Sequence, residues 1–393
     1  MPRNMVKICS RCVMDSDAIG IRFDENGICN YCKIHDQWND SFPINEESSE
    51  KLKKIIEKIK EDGKNKKYDC IVGVSGGVDS TYTLYYVKKM GLRPLAVHVD
   101  NGWNTELSVN NIKNAVSKLN VDLYTKVLDW EEFKDLQVSF LKATVPDVEI
   151  PTDIAIRSTL YKVAAKEKVK YIITGVSFRT EGKIPQSWTY LDGKYIKDVQ
   201  KKFGTKKLKD FPNFTLFDRI YYNFIKRIKR VSFNYYIDYS KEKVKDILIK
   251  ELGWRPYPGK HYESVYTRFI QSYLLPKKFN IDKRKVHYSA LINSRQMTRQ
   301  EALEKLKKPP YPEDKIEEDL EYVTKKLDLK KEEFEEIFNK PPKTFLDYKT
   351  SYSTIKLLKA PLKLTYKFIS PAPPTFFEEM QILEEDIKKI KDE

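Results

Sequence analysis

The stretch VGVSGGVDS, residues 72–80, joins an apolar run to a helical pattern through two glycines, two serines and an aspartate. Glycine lets a backbone approach an anion with no Cβ in the way. The first turn of a helix leaves N–H groups without acceptors and carries roughly half a positive charge. A strand, then Ser75-Gly76-Gly77-Val78-Asp79-Ser80, then a helix is therefore a cradle for phosphate. Ser75 and Ser80 supply hydroxyl donors, while Gly76, Gly77 and Val78 supply backbone. Asp79 can face a phosphate only through a cation, which assigns it to Mg²⁺. The plain alternative is a helix start in which Ser75 caps the first turn and the glycines make the bend. The pattern is not a Walker loop, because no G-x-x-x-x-G-K-S/T occurs there.

A second constellation lies upstream. Cys9-x2-Cys12 and Cys29-x2-Cys32, sixteen residues apart, have zinc-ribbon spacing, with Gly20 and Gly27 supplying turns between the two knuckles. Four thiolates close a tetrahedral site and leave no position for substrate, so the expected role of Zn²⁺ is structural. An iron–sulfur cluster and redox disulfides are the rival readings. The fifth cysteine, Cys70, falls on an expected strand, where a small buried hydrophobe is its simplest role.

Such groups need a scaffold, and the periodicity supplies one. A charged helix over residues 46–61 leads into a strand at 69–74. Helix 78–90, strand 94–99, helix 105–119, strand 121–127, helix 130–142, helix 152–168 and strand 170–174 follow. Strands alternating with helices of this length predict an α/β fold, a parallel sheet with helices on both faces. Ligands in such sheets sit beyond the carboxyl ends of the strands. That is where Val99 and Gly175 fall, which makes them expected nucleotide contacts. His98 beside them reads as a satisfied strand histidine. Past residue 184 the alternation fails, and the chain turns aromatic, basic and mostly helical. Thr298-Arg299-Gln300-Glu301 has capping-box spacing for one of those helices. The organisation expected is a zinc-ribbon module over 1–45, a nucleotide domain over 46–184 and a helical substrate and partner region over 185–393.

Composition bounds the function. The 393 residues are 40% apolar and 12% aromatic, and no run approaches the roughly 20 apolar residues of a membrane span. The first dozen residues lack the apolar core of a signal peptide, so a reducing cytoplasm is the expected compartment. A net charge of +15 points to anionic partners, yet much of the lysine falls on helical faces that solvent alone would satisfy.

The string SGGVDS resembles the pyrophosphate loop of the N-type ATP pyrophosphatases, which cleave ATP between the α and β phosphates. CSRCVMD, GICNYC, VGVSGGVDST, TGVSFRTEG, GKHYES and DKRKVHYSALINSRQMTRQEAL, taken in order, resemble the N-acetyl sugar amidotransferase family, which makes acetamidino sugars for surface polysaccharide and flagellin modification. The resemblance implies an adenine nucleotide alpha hydrolase-like (PP-loop ATPase) fold, with ATP, Mg²⁺ and structural Zn²⁺ as cofactors. It implies adenylation of an acetamido oxygen and its replacement by ammonia. Asp79, Lys285, Arg284 and Lys260 are the expected catalytic residues, with Lys283 the third cation of its triplet. Arg179, Thr180, Glu181, His261, Glu263 and Arg268 are the expected substrate contacts. Zinc claims four of the five cysteines, Cys70 is expected to be buried and Pro2 follows the first methionine, so no thiol is left to hydrolyse glutamine. A separate glutaminase subunit is the expected ammonia source, as the resemblance also implies. No nucleic-acid partner is expected, and homo-oligomerisation is left open. The alternative is a tRNA-modifying enzyme of thiolase or lysidine synthase type, which shares the loop.

Overall fold

The computed structural model describes residues 6–257, 259, 262–369 and 373–392. Five strands, β1 (Cys70–Gly73), β2 (Pro94–Asp100), β3 (Leu123–Val127), β4 (Tyr171–Thr174) and β5 (Lys229–Ser232), form one all-parallel sheet in the order β3-β2-β1-β4-β5. Before and between them run α1 (Asn30–Ser41), α2 (Glu46–Gly63), α3 (Val78–Lys89), α4 (Glu106–Leu119), α5 (Trp130–Lys142), α6 (Ile150–Lys166), α7 (Phe178–Glu181), α8 (Gly193–Phe203) and α9 (Leu216–Ile220). After β5 come α10 (Lys241–Leu252), α11 (Val265–Phe269), α12 (Leu275–Phe279), α13 (Lys283–Asn293), α14 (Arg299–Lys307) and α15 (Glu313–Lys326). The last helices are α16 (Lys331–Asn339), α17 (Tyr352–Leu357), α18 (Lys359–Ile369) and α19 (Thr375–Asp392). This is the α/β fold expected, with the Cys-rich segment at its start and a helical carboxyl-terminal region.

Strand periodicity builds two cores. Ile71, Leu95, Val97, Val99 and Ile172 share one apolar cluster with residues of α5, α6 and α8. Cys70, Val72, Ala96, Tyr171 and Ile173 share the other with α2, α3, α4 and α10. Covering both faces is what a parallel sheet requires, and it explains the unbroken apolar runs of β1 and β4. Cys70 is fully buried, as a small hydrophobe should be. The strand and helix order expected over residues 46–174 is present, with ends moved by about one or two residues. Thr298 and Glu301 do form a capping box, and it starts α14.

β5 was not expected. It comes from the segment read as helical, and its sequence KRVS carries no apolar run. As an edge strand it needs none, and its exposed Lys229 and Arg230 suit an edge that must not pair with another chain. The direction of chain winding reverses between β1 and β4. The crevice beyond their carboxyl ends is the place where such sheets bind ligands. No helix among the described residues is long and apolar enough to cross a membrane.

Candidate functional site

The loop between β1 and α3 is held in shape by its surroundings. Gly76 has φ +81°, and a Cβ on it would lie 2.5 Å from the Ser108 carbonyl oxygen, so only glycine fits. Its own carbonyl accepts from Trp254 Nε1 at 2.8 Å and from Tyr257 Oη at 3.1 Å. Asn111 in turn fixes that segment, accepting from the Arg255 N–H at 2.8 Å and meeting Tyr257 Oη at 3.2 Å. A Cβ on Gly77 would meet Glu263 Oε1 at 2.3 Å, which places the Glu263 carboxylate against the loop. Ser80 Oγ accepts from the Ser75 N–H at 3.2 Å and lies 3.1 Å from Ser75 Oγ, so both hydroxyls sit at the mouth of the turn. Gly175 closes the other wall. A Cβ there would lie 2.6 Å from the Asp79 carbonyl oxygen, and Asn234 Nδ2 donates to the Gly175 carbonyl at 2.7 Å. Val99 is buried at the end of β2.

Asp79, in the first turn of α3, meets two partners that sequence reasoning missed. Tyr239 Oη donates to its Oδ1, and Lys241 Nζ lies 3.2 Å from its Oδ2. Burial opposes the charge of Lys241, but the carboxylates of Asp79, Glu181 and Glu263 outweigh it and raise its pKa above the ordinary lysine value. Burial, with the Asp79 charge, likewise pushes the Tyr239 phenol up and keeps it a hydrogen-bond donor. The crevice therefore sets one ammonium against the Asp79 carboxylate and within the field of Glu181 and Glu263, next to a loop built to take an anion. The hard oxygen donors fit Mg²⁺, which is bound through one or two carboxylates plus substrate phosphates rather than in an all-protein cage.

The other expected site residues are placed less uniformly. Glu181 and Glu263 reach the crevice. Thr180 is buried, and its hydroxyl lacks a partner among the described residues. Arg179 does not face the crevice as a substrate contact would. It is buried, with Nη1 donating to the Tyr235 carbonyl at 3.0 Å and Nη2 to Asn39 Oδ1 at 3.0 Å and to the Phe42 carbonyl. Burial lowers its pKa to about 10, and it serves to tie the end of β5 to the α1–α2 connection. Arg268 forms a two-pronged pair with Asp319 at 2.7 and 2.6 Å and stands between the rings of Tyr262 and Tyr311, so it joins α11 to α15.

The basic triplet also departs from expectation. Lys283 pairs with Glu149 at 3.1 Å, Arg284 with Asp282 at 2.7 Å, and Lys285 with Asp15. Arg284 further donates to the Lys308 carbonyl at 2.9 Å. Each cation is anchored to a different neighbour, and the ammonium found at Asp79 is that of Lys241. Lys260 and His261 lie outside the described residues. His98 is satisfied, as expected: Nδ1–H donates to the Val74 carbonyl at 3.0 Å, and Nε2 accepts from Asn104 Nδ2 at 3.2 Å.

Cys9, Cys12, Cys29 and Cys32 converge with their sulfurs within 4.8 Å of one another, all buried, the one such ligand group of three or more among the described residues. The N–H groups of Cys12 and Cys29 point at Cys9 Sγ at 3.4 and 3.2 Å, and the N–H of Met14 at Cys12 Sγ at 3.4 Å. Such donors stabilise thiolate, so the site fits a thiophilic metal. The carboxyl-terminal region clamps this module. Arg299 donates to the carbonyls of Cys9 and Cys12 at 3.0 Å each, Asn293 Nδ2 lies 3.5 Å from Cys32 Sγ, and the Val13 N–H donates to Ser289 Oγ at 3.3 Å. Between module, α7 and α13 lies a cavity of about 220 Å³, lined by Tyr31, His35, Trp38, Phe178, Tyr235 and Asn293 among others. Buried His35 Nδ1, Trp38 Nε1 and Asn293 Oδ1 have no partner among the described residues, and burial lowers the His35 pKa to about 4, which keeps the ring neutral.

Two families match parts of this chain. The family described as "LPS biosynthesis protein WbpG-like, C-terminal domain" matches residues 263–361, and "Queuosine biosynthesis protein QueC" matches residues 69–177. The second span takes in β1 to β4 with the loop, and the first takes in α11 to α17. A search of curated proteins returns no match. Among solved structures, the NH3-dependent NAD synthetase of Campylobacter jejuni is 18% identical with a TM-score of 0.27, over 36% of this chain and 58% of its own. This chain thus spans little more than half of that synthetase. The NMN synthetase of Francisella tularensis is 18% identical with a TM-score of 0.28, over 55% of this chain and 98% of its own. The U34-tRNA thiolase NcsA of Methanococcus maripaludis, solved with its 4Fe–4S cluster, is 13% identical with a TM-score of 0.32, over 75% of this chain and 88% of its own.

Proposed function

We propose that this chain is an ATP-dependent amidotransferase that adenylates the acetamido oxygen of an N-acetylated sugar and replaces it with ammonia, giving an acetamidino sugar. The observation that carries this reading is the crevice itself, a glycine loop with Asp79, Lys241, Glu181 and Glu263 around it, in a chain whose carboxyl-terminal part matches a lipopolysaccharide-biosynthesis domain.

An acetamido oxygen is a poor leaving group. In the first step that oxygen attacks the α-phosphorus of ATP, the bond to the bridging oxygen breaks and pyrophosphate leaves. The loop N–H groups with Ser75 and Ser80 hold the departing phosphates, and Lys241 faces the charge that develops on them. Asp79 is the residue that would hold Mg²⁺, which when bound would supply charge neutralisation there. In the second step the ammonia lone pair attacks the activated carbon, the carbon–oxygen bond breaks and AMP leaves. The incoming nitrogen must lose one proton, and Glu181 and Glu263 are the carboxylates placed to take it. The aromatic-lined cavity beside α7, with Lys183 on its wall and polar atoms of His35, Trp38 and Asn293 facing inward, suits a sugar ring. Four thiolates hold structural Zn²⁺, and ammonia comes from a partner glutaminase.

The test is pyrophosphate release by the purified chain over a panel of free and nucleotide-linked acetamido sugars, with ammonium present. Sugar-dependent release with amidine formation is expected, and glutamine should not replace ammonium. The match to a queuosine-biosynthesis family favours a second reading, modification of tRNA. Release dependent on RNA and indifferent to every sugar would establish it in place of the first.

A further inference from the structure

α9 and the π-helical turn that continues it, Tyr221–Ile225, carry apolar side chains on the outside. Phe217, Ile220, Tyr221, Phe224 and Ile225 recur at the three- and four-residue spacing of a stripe that in a core helix would be turned inward. Here that stripe is exposed, at 83%, 47%, 44%, 57% and 68% of the respective residues. The inward side is already filled, because Tyr222 packs against Tyr161 and Phe214 at 5.6 and 6.0 Å between ring centres. A ridge of five protruding apolar side chains on one surface helix marks an interaction site.

Charge identifies the occupant. Arg219, Lys226, Arg227, Lys229 and Arg230 belong to the same short segment, all exposed, and among the described residues none of them makes an ion pair. The single acidic residue of the segment, Asp218, is committed to the capping box with Thr215. Nearby Arg157 also feels two of these cations: burial first, then the charges of Arg230 and Arg219, lower its pKa to about 9. A second copy of this chain would bring five like charges against five across a two-fold axis, which disfavours self-docking. The helix ends where β5 begins, at the amino ends of the strands, whereas the glycine loop lies beyond their carboxyl ends. A partner delivering ammonia belongs at the crevice rather than here.

We propose that residues 216–230 form a docking face for an anionic lipid bilayer. The five apolar side chains enter the boundary between headgroups and acyl chains, and the five cations lie along the headgroup phosphates. The protein binds at the surface without spanning it, and the crevice remains open to soluble ligands.

The test is co-sedimentation of the full chain with phosphatidylcholine vesicles, with and without phosphatidylglycerol. Binding should need the anionic lipid, weaken in high salt and fall about tenfold or more in a Phe217→Ser/Phe224→Ser/Ile225→Ser variant. Because the substituted side chains are solvent-exposed, melting temperature and pyrophosphate release should stay as in the wild type. Lys226→Glu/Lys229→Glu should lose the preference for anionic lipid. No binding of wild type to anionic vesicles overturns the proposal, as does binding that the triple variant leaves unchanged. A dimer, or a complex with a purified acidic glutaminase, that the triple variant dissolves while vesicles are ignored would assign the face to protein instead.

Discussion

Lys241→Met tests the electrostatics of the crevice most directly. Its Nζ is 3.2 Å from Asp79 Oδ2, and each side chain is only 21% exposed. At an effective dielectric of about 20, unit charges at that distance attract by about 5 kcal/mol, partly offset by the cost of desolvating two ions. Removing the ammonium takes away the cation that pairs with Asp79 and feels the charges of Glu181 and Glu263. It also removes the cation poised for the departing pyrophosphate, and losing one such preorganised group costs about 10²–10³ in turnover, or roughly 3–4 kcal/mol. The expected result is that fall in pyrophosphate release at saturating Mg-ATP, with ATP binding about tenfold weaker. The folded-state pKa of Lys241 is raised, so its stabilising contribution is complete below the ordinary value of 10.5 and is lost only above it. Between pH 5 and 9 the Lys241 contribution is therefore constant. The variant should be destabilised at pH 7.5. Turnover and ATP affinity close to wild type would refute the reasoning and reduce Lys241 to a clamp on Asp79.

Asp79→Asn should abolish pyrophosphate release while leaving the melting temperature near that of the wild type, and normal turnover would end the assignment of Mg²⁺ to this carboxylate. Gly76→Ala places a Cβ 2.5 Å from the Ser108 carbonyl oxygen at a φ of +81°, so it should destabilise the protein by about 1–3 kcal/mol and weaken ATP binding, both read by thermal shift with and without nucleotide. Cys29→Ser should release one metal ion per chain, zinc by elemental analysis and without iron or acid-labile sulfide, and should lower the melting temperature. Asp147, buried between Tyr195 Oη at 3.0 Å and the Tyr190 N–H at 3.2 Å, has its pKa raised to about 7 by burial, so stability falls as pH rises from about 4 through 7. Asp147→Asn keeps an acceptor for the Tyr190 N–H and can donate Nδ2–H to a reoriented Tyr195 hydroxyl, and it should raise stability above pH 7 by up to about 4 kcal/mol with no gain at pH 4, measured by denaturant unfolding across that range.

What the sequence disclosed, and what it hid, follows from how each residue is used. β1 and β4 were legible because a strand buried on both faces must be apolar throughout, and the loop was legible because its glycines answer to backbone contacts that no other residue allows. The four cysteines were legible because their spacing is local. β5 was hidden because an edge strand needs no apolar run, and Lys241 because a chain with 72 basic residues gives no reason to single out one. The triplet at 283–285 could not be ranked from sequence, for a geometric reason. Successive helical residues point about 100° apart, so the three neighbouring cations on α13 point three ways, and in the structure they reach Glu149, Asp282 and Asp15. The same helix explains why its surrounding sequence was so distinctive. Ser289 and Asn293 grip the cysteine knuckles while Val286 and Ala290 pack on Gly182 beside α7, the helix that carries Glu181 toward Asp79. Those residues are fixed by two neighbours at once, the metal module and the wall of the crevice. Removing the metal should therefore disturb ATP chemistry even though no cysteine touches the nucleotide loop: after Cys29→Ser, pyrophosphate release should fall at temperatures where the sheet is still folded.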